Sequence, residues 1–363
     1  MTDLITQANL DDFATGATVL GTGGGGDPYI GKLMAEQAIE THGPVELIDP
    51  RDVPDDALVV PSAMLGAPTV MVEKLPRGTE AIAAFEALEA ELGEQAYATM
   101  SIEAGGLNST VPIAVAAALG IPLVDADGMG RAFPEVQMVT LTMGGIDATP
   151  MSIADEKGNT VFTDTVDNEW AEKFARSTSI EMGGSCMIGT YAHTGSQLRK
   201  HAILDSMSLA RDIGEAIRSA KERSADPVVE LLDLTDGYEI FQGKITDVER
   251  RTEGGFAMGE AHIDGVNACE GRELTLEIQN ENLVARDSER GIVASVPDLI
   301  TVLDAETGDP ITTEGLKYGQ RVRVVGMPCD EKWRTEEGLE LVGPRYFDYG
   351  IDYEPIESLH SND

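Results

Sequence analysis

The sequence predicts an α/β N-terminal domain with a mostly parallel sheet, followed by a mainly β C-terminal domain of sandwich or barrel type. Three observations carry this reading. The first half alternates short apolar runs with helical periods of ten or more residues. The second half is built of short β-branched segments bounded by Gly, Pro or Asp. The length, 363 residues, is about twice that of an ordinary domain.

Taken in order, Leu10, Phe13, Ala14, Ala17 and Leu20 fall at helical spacing behind Asn9 as N-cap, and this helix runs into a glycine run. A helix over 30–41 leads to a strand over 45–48, closed by Asp49-Pro50. Strand 58–61, helix 79–92, strand 96–102, helix 109–119 and strand 123–125 then repeat the rhythm of βαβ crossovers. Segments 136–142, 151–154 and 160–162 read as strands, the last two as a hairpin, and 168–177 as a helix. Past Gly183-Gly184 come a strand over 186–191 and a helix over 203–223. The β-rich segments 238–248, 255–263, 272–278, 292–295 and 320–325 follow. The turn at Gly183-Gly184 sets the expected domains at 1–182 and 183–363.

Composition excludes several partners. Hydrophobic content, 42%, is that of an ordinary globular protein, but 64 Asp plus Glu face 26 Lys plus Arg, a net charge of -38. The acids are spread through every element, so they describe a surface and not a tail. Such self-repulsion is costly at ordinary ionic strength and is screened in molar salt, which points to a salt-filled cytoplasm, with a merely acidic protein as the alternative. Basic residues cluster no further than pairs such as Arg250-Arg251, so neither nucleic acid nor an anionic membrane is an expected partner. No apolar stretch approaches the ~20 residues of a transmembrane helix, and the N-terminus shows no basic-then-apolar leader, so a cytoplasmic location is expected. Cys186, Cys269 and Cys329 are widely spaced and odd in number, as in a reduced compartment.

Four places could carry chemistry. Gly21, Gly23 and Gly26 satisfy GxGxxG, and Asp49 lies at a strand end beyond them, which invites a nucleotide-binding reading. However, a helix and not a buried strand precedes the run. What survives is a loop, Gly23, Gly24, Gly25 and Gly26, whose backbone N–H groups could hold an anionic or polar ligand. At the end of strand 96–102, Glu103 and Gly105-Gly106 lead into Asn108 and Ser109, where ligands of open α/β sheets sit. The next strand end gives Asp125, Asp127, Arg131 and Glu135, which could orient water, hold a divalent metal or form an ion-paired loop. His193 lies at an element junction and is a candidate for acid–base work or ligand binding. There is no HExxH, GxSxG or P-loop.

Longer phrases carry a resemblance. LGTGGGGDPYIGKLMAEQA, VVPSAMLGAPTVMVEKLP, IEAGGLNSTVPIAVAAALGIPLVDADGMGRAFPEVQMVT, GKITDVERRTEGGFAMGEA, LEIQNENLVA and VPDLITVLDAETGDPITTE resemble the DUF917 family, also named for its S-methyl thiohydantoin desulfurase domains. The resemblance spans nearly the whole chain. It implies an N-terminal α/β and a C-terminal mostly β domain, association with hydantoinase and oxoprolinase-type enzymes and, for some members, hydrolysis of an S-methyl thiohydantoin to a hydantoin and methanethiol.

The expected function is therefore hydrolysis of a hydantoin-like ring. Glu103, Asp125 or Asp127 would be the general base, the glycine loop would hold the ring's negative atom, and Arg131 would anchor a carbonyl or carboxylate. The alternatives are a noncatalytic partner subunit of a hydantoinase or oxoprolinase-type enzyme, and a nucleotide-binding oxidoreductase. A small-molecule substrate and a homo-oligomer are expected. No cofactor is assigned, and a divalent metal stays open.

Overall fold

The computed structural model describes residues 3–26, 28–66, 74 and 77–361. Most of the stretch 67–76, which carries part of the family resemblance, lies outside the described residues.

The first sheet runs in the order Asp3–Ile5, Val45–Ile48, Leu123–Val124, Ala98–Ser101, Leu58–Gly66, Ser185–Gly189, Met151–Ala154 and Thr160–Thr163. Val45–Ile48, Leu123–Val124, Ala98–Ser101 and Leu58–Gly66 are parallel to one another and form the centre. Antiparallel strands extend it on both sides. The parallel strands are joined through the helices Glu80–Leu92 and Val111–Leu119, each closed by a left-handed glycine, Gly93 and Gly120. Ala98–Ser101 is buried on both faces, as central parallel strands are.

The second sheet is wholly antiparallel, in the order Gly291–Ser295, Glu281–Asp287, Glu273–Gln279, Phe256–Gly265, Tyr238–Glu253, Arg321–Met327, Leu299–Asp304 and Pro310–Ile311. It curls back on itself, so that Asn282 Nδ2 donates to Ile300 O at 3.0 Å across it. Its interior is a separate apolar core that includes Phe241, Ile263, Leu276 and Val324.

The α/β plus β fold class is the expected one, with four differences in detail. Ser185–Gly189, placed by the sequence reading beyond the boundary at Met182, is an inner strand of the first sheet. The helix Ser206–Glu222 also belongs there. It packs on Leu10–Leu20 so closely that a Cβ at Gly16 would overlap Ala210 O, and one at Gly214 would overlap Asp12 O. Segment 136–142 is not a strand: Val136 N donates to the Glu172 carboxylate and Met138 N to Glu135 O, and Thr140–Met143 is a short helix. Finally, Glu281–Asp287 and Leu299–Asp304 were not anticipated, because nearly every residue of each is buried and no alternation marks them.

Candidate active site between the two domains

Glu103 leaves the carboxyl end of Ala98–Ser101, where Ser101 Oγ, at 2.6 Å from Glu103 O and 2.9 Å from Asn108 O, pins both ends of its loop. Asn108 is fixed in turn: its Oδ1 accepts from Met64 N at 2.8 Å, and its Nδ2 donates to Glu103 Oε1 at 2.5 Å. Phe133 N reaches the other carboxyl oxygen at 3.3 Å.

The glycine run lies against this loop and against the second domain. Gly25 O accepts from Leu107 N and Asn108 N at 2.9 and 3.2 Å, Gly23 O from Thr313 N at 2.9 Å, and Thr22 O from Asn282 N at 2.9 Å. A Cβ at Gly25 would overlap Gly105, and one at Gly24 would overlap the Glu281 carboxyl. Gly23, Gly25 and Gly26 all have positive φ (91°, 72° and 84°). The run is therefore the place where three backbone segments meet with no room for side chains, and it seats Glu281 opposite Glu103.

Between them is an open cleft with about 560 Å³ of empty space, its mouth included. Its polar lining is Glu103, Asn108, Glu135 and Arg176 from the first domain and Asn280 and Glu281 from the second, and Met64, Met129 and Phe133 supply apolar walls. Phe133 is held edge-on by Trp333, with centroids 5.2 Å apart, and Trp333 Nε1 donates to Met129 O at 2.7 Å. Glu172 and Arg176 brace the rim: Arg176 Nε bonds Glu172 at 2.6 Å, Arg176 Nη2 donates to Pro134 O at 2.9 Å, and Val136 N donates to Glu172 at 2.9 Å.

The electrostatics are unusual for carboxylates. Burial pushes the Glu103 carboxyl up to about 7 against the hydrogen bonds from Asn108 and Phe133. Glu281 is raised well above the usual carboxylate range, by burial first and by the charge of Glu103 second. Its Oε2 has no hydrogen-bond partner among the described residues. Two buried carboxyls on one cleft, each resisting ionisation, titrate as a pair and can hold one proton near neutrality.

The other sequence candidates divide. Asn108 and Gly25 line the cleft, and so does Glu135, which accepts from Tyr346 OH at 2.9 Å and is raised by burial. Asp127 is buried behind the wall: its Oδ1 accepts from Met129 N at 2.5 Å and from Gly130 N, shaping the loop that carries Met129, and burial raises it to about 6. Asp125 lines a different cavity with Asp49 and Asp205 and accepts from Ser208 N at 2.9 Å. Among the described residues no group of three or more His, Cys, Asp and Glu gathers as a metal site.

Arg131 is fully buried, and its guanidinium donates to Ala132 O, Pro297 O, Asp298 O, Thr22 Oγ1 and Asn282 O. These bonds occupy its five donors and make it a strut between the domains. His193 pairs with Val59, four residues and about 13 Å along Leu58–Gly66 from the cleft residue Ala63. It is buried, held by Tyr191 O at 2.6 Å, and lowered by burial to about 4.

Glu281, Asn280 and Arg176 were missed as site residues. Glu281 sits in the phrase LEIQNENLVA, but nothing local distinguishes it, since its place in the cleft depends on docking of the second sheet onto the glycine run.

The fold and cleft define a class: a two-domain protein with a cleft at the carboxyl ends of parallel strands, completed by a β domain. Models of the S-Me-THD-like N-terminal and C-terminal domains match residues 8–165 and 166–356, and the chain belongs to this family. No curated protein matches the chain. Among solved structures, the X-ray crystal structure of a protein from Chromobacterium violaceum superposes with a TM-score of 0.79 at 22% identity, covering 98% of this chain and 100% of that one, which shows a shared fold.

Proposed function

We propose that this protein hydrolyses a hydantoin-like ring of the S-methyl thiohydantoin type, releasing methanethiol and the corresponding hydantoin. The observation that carries the reading is the pair of buried carboxyls, Glu103 and Glu281, on one cleft with apolar walls. Such a wall suits a flat ring and a methylthio group, and the pair suits proton transfer at neutral pH.

Ionised Glu103 takes a proton from water as the oxygen attacks the ring carbon bearing sulfur. Protonated Glu281 delivers its proton to the ring nitrogen, giving a neutral tetrahedral adduct. The C–S bond then breaks as the adduct's C–O bond becomes a carbonyl. The thiolate takes the proton held by Glu103, and the adduct's hydroxyl proton returns to Glu281. Water has then supplied one proton to nitrogen and one to sulfur, and both carboxyls are restored. Asn108 holds Glu103 in place from the ring's edge, and Arg131 acts at a distance, its positive charge favouring ionisation of both acids.

The test is methanethiol release by the purified chain from an S-methyl thiohydantoin. Turnover is expected from the wild type, falling about 100-fold or more in Glu103→Gln. A wild type that releases none, with or without added divalent metal, removes the hydrolase reading in favour of a noncatalytic partner subunit.

A further inference from the structure

The strands Tyr238–Glu253 and Phe256–Gly265 form a hairpin longer than the sheet it belongs to. Tyr238–Glu253 pairs with Arg321–Met327 only over 238–244, and Phe256–Gly265 pairs with Glu273–Gln279 only from Met258 onward. Residues 252–256 therefore extend beyond the sheet as a two-stranded ribbon, a form that is marginal unless it packs on something. Its turn is Gly254-Gly255, both with positive φ (61° and 90°), between the paired Glu253 and Phe256.

The ribbon packs on the rim of the cleft. The Phe256 ring lies 4.5 Å from the Arg176 guanidinium, and a Cβ on Gly255 would come within 2.9 Å of Arg176 Cδ. Just behind the tip, Ala257 N donates to Asn280 Oδ1 at 2.8 Å, and Asn280 N to Ala257 O at 2.8 Å. The tip thus touches Arg176 on the first domain and is tied to Asn280 on the second, and both line the cleft. Arg176 in turn holds Pro134 O and, through Glu172, Val136 N, in the segment whose Phe133 N bonds Glu103. Elsewhere the domains are fastened by buried bonds, those of Arg131 and of the glycine run among them, whereas this fastening is a ring on a cation beside exposed residues 251–254.

We propose that the tip at residues 252–256 is a strap over the cleft. Closed, Phe256 clamps Arg176 and through it the rim segment 133–136; lifted, it frees the rim and lets ring-sized ligands exchange. The strap rests on the contacts and not on the reaction, so it is tested without turnover.

Hydrogen exchange of the full-length protein is measured for wild type, Phe256→Ala and Phe256→Leu, the last keeping apolar bulk while removing the ring face. Exchange at least five-fold faster is expected in both variants, not only at the tip but also at the amides of Phe133 and Val136, with the strand Ala98–Ser101 unchanged. Loosening confined to the tip overturns the proposal, as does wild-type exchange throughout. Where hydrolysis is measurable, both variants should raise KM several-fold and leave the pH profile in place. A shifted profile with unchanged KM would instead make Phe256 a support of Glu103 alone and would also overturn the strap.

Discussion

Glu103 and Glu281 are both buried on one cleft, and the charge of ionised Glu103 makes ionisation of Glu281 harder. In hydrolysis, kcat/KM should rise as Glu103 loses its proton near pH 7 and fall at higher pH as Glu281 loses the second. In Glu281→Gln the falling limb should vanish and kcat drop at least ten-fold; a pH–rate series on wild type and variant checks this. Stability follows the same proton with a definite sign. The Glu103 carboxyl holds its proton at about 7 when folded against 4.5 unfolded. Its contribution is therefore full below about pH 4.5 and is lost as pH rises through 7. That shift corresponds to about 3 kcal/mol. Urea unfolding of Glu103→Gln against wild type should show the variant gaining by about that amount between the two limits. Glu103 was legible because a strand end, a glycine pair and a helix start surround it. Arg131 was expected to anchor a substrate carbonyl or carboxylate, and only the folded chain shows its donors spent on four carbonyls and a hydroxyl.

The glycine loop shows how far a motif can be read at the level of elements. Four consecutive glycines announce a backbone demand, and the helix Leu10–Leu20 before them fits no dinucleotide fingerprint, so the nucleotide reading weakens at the sequence. The reason for the glycines was out of reach: it is the approach of Gly105 and Glu281, which come from 80 and 257 residues beyond Gly25 and Gly24. The same distance in sequence hides Glu281–Asp287, a strand buried too evenly to alternate. A substitution separates conformational freedom from packing. Gly120 also has positive φ (66°), with nothing within 4 Å of a Cβ, so Gly120→Ala should cost only about 1 kcal/mol of left-handed strain. Gly25→Ala adds an overlap with backbone that cannot yield, and should cost about 3 kcal/mol or more. Denaturant midpoints of the two variants measure the difference, and equal losses would mean that the contact with Gly105 is not tight.

On the scale of the whole molecule the governing quantity is the net charge of -38, legible in full from composition. The structure adds that cations are shared out among several acids: Arg51 meets Asp49 and Asp205, Arg218 meets Asp12 and Glu222, and Arg323 meets Asp226 and Glu239. The exposed pairs, such as those of Arg51, are each worth about 1 kcal/mol or less, far too little to cancel the repulsion among the remaining acids. Folding brings those acids closer together than in the open chain, so low salt should favour unfolding. As the Debye length falls from about 30 Å at 0.01 M to about 3 Å at 1 M, most of the recovery should be complete by about 1 M KCl. A further gain near 3 M would point to ion binding or stronger apolar burial. Lowering the pH to about 5.5 at low salt should partly replace salt, because the raised Glu103 and Glu281 favour the protonated form. Glu103→Gln separates the two sources: it should retain the salt dependence, a surface property, while losing part of the pH dependence, which comes from the cleft. Thermal midpoints of both proteins across these salts at pH 7 and 5.5 decide the matter, and a wild-type midpoint indifferent to KCl at pH 7 would mean that the acidic surface is no adaptation to salt.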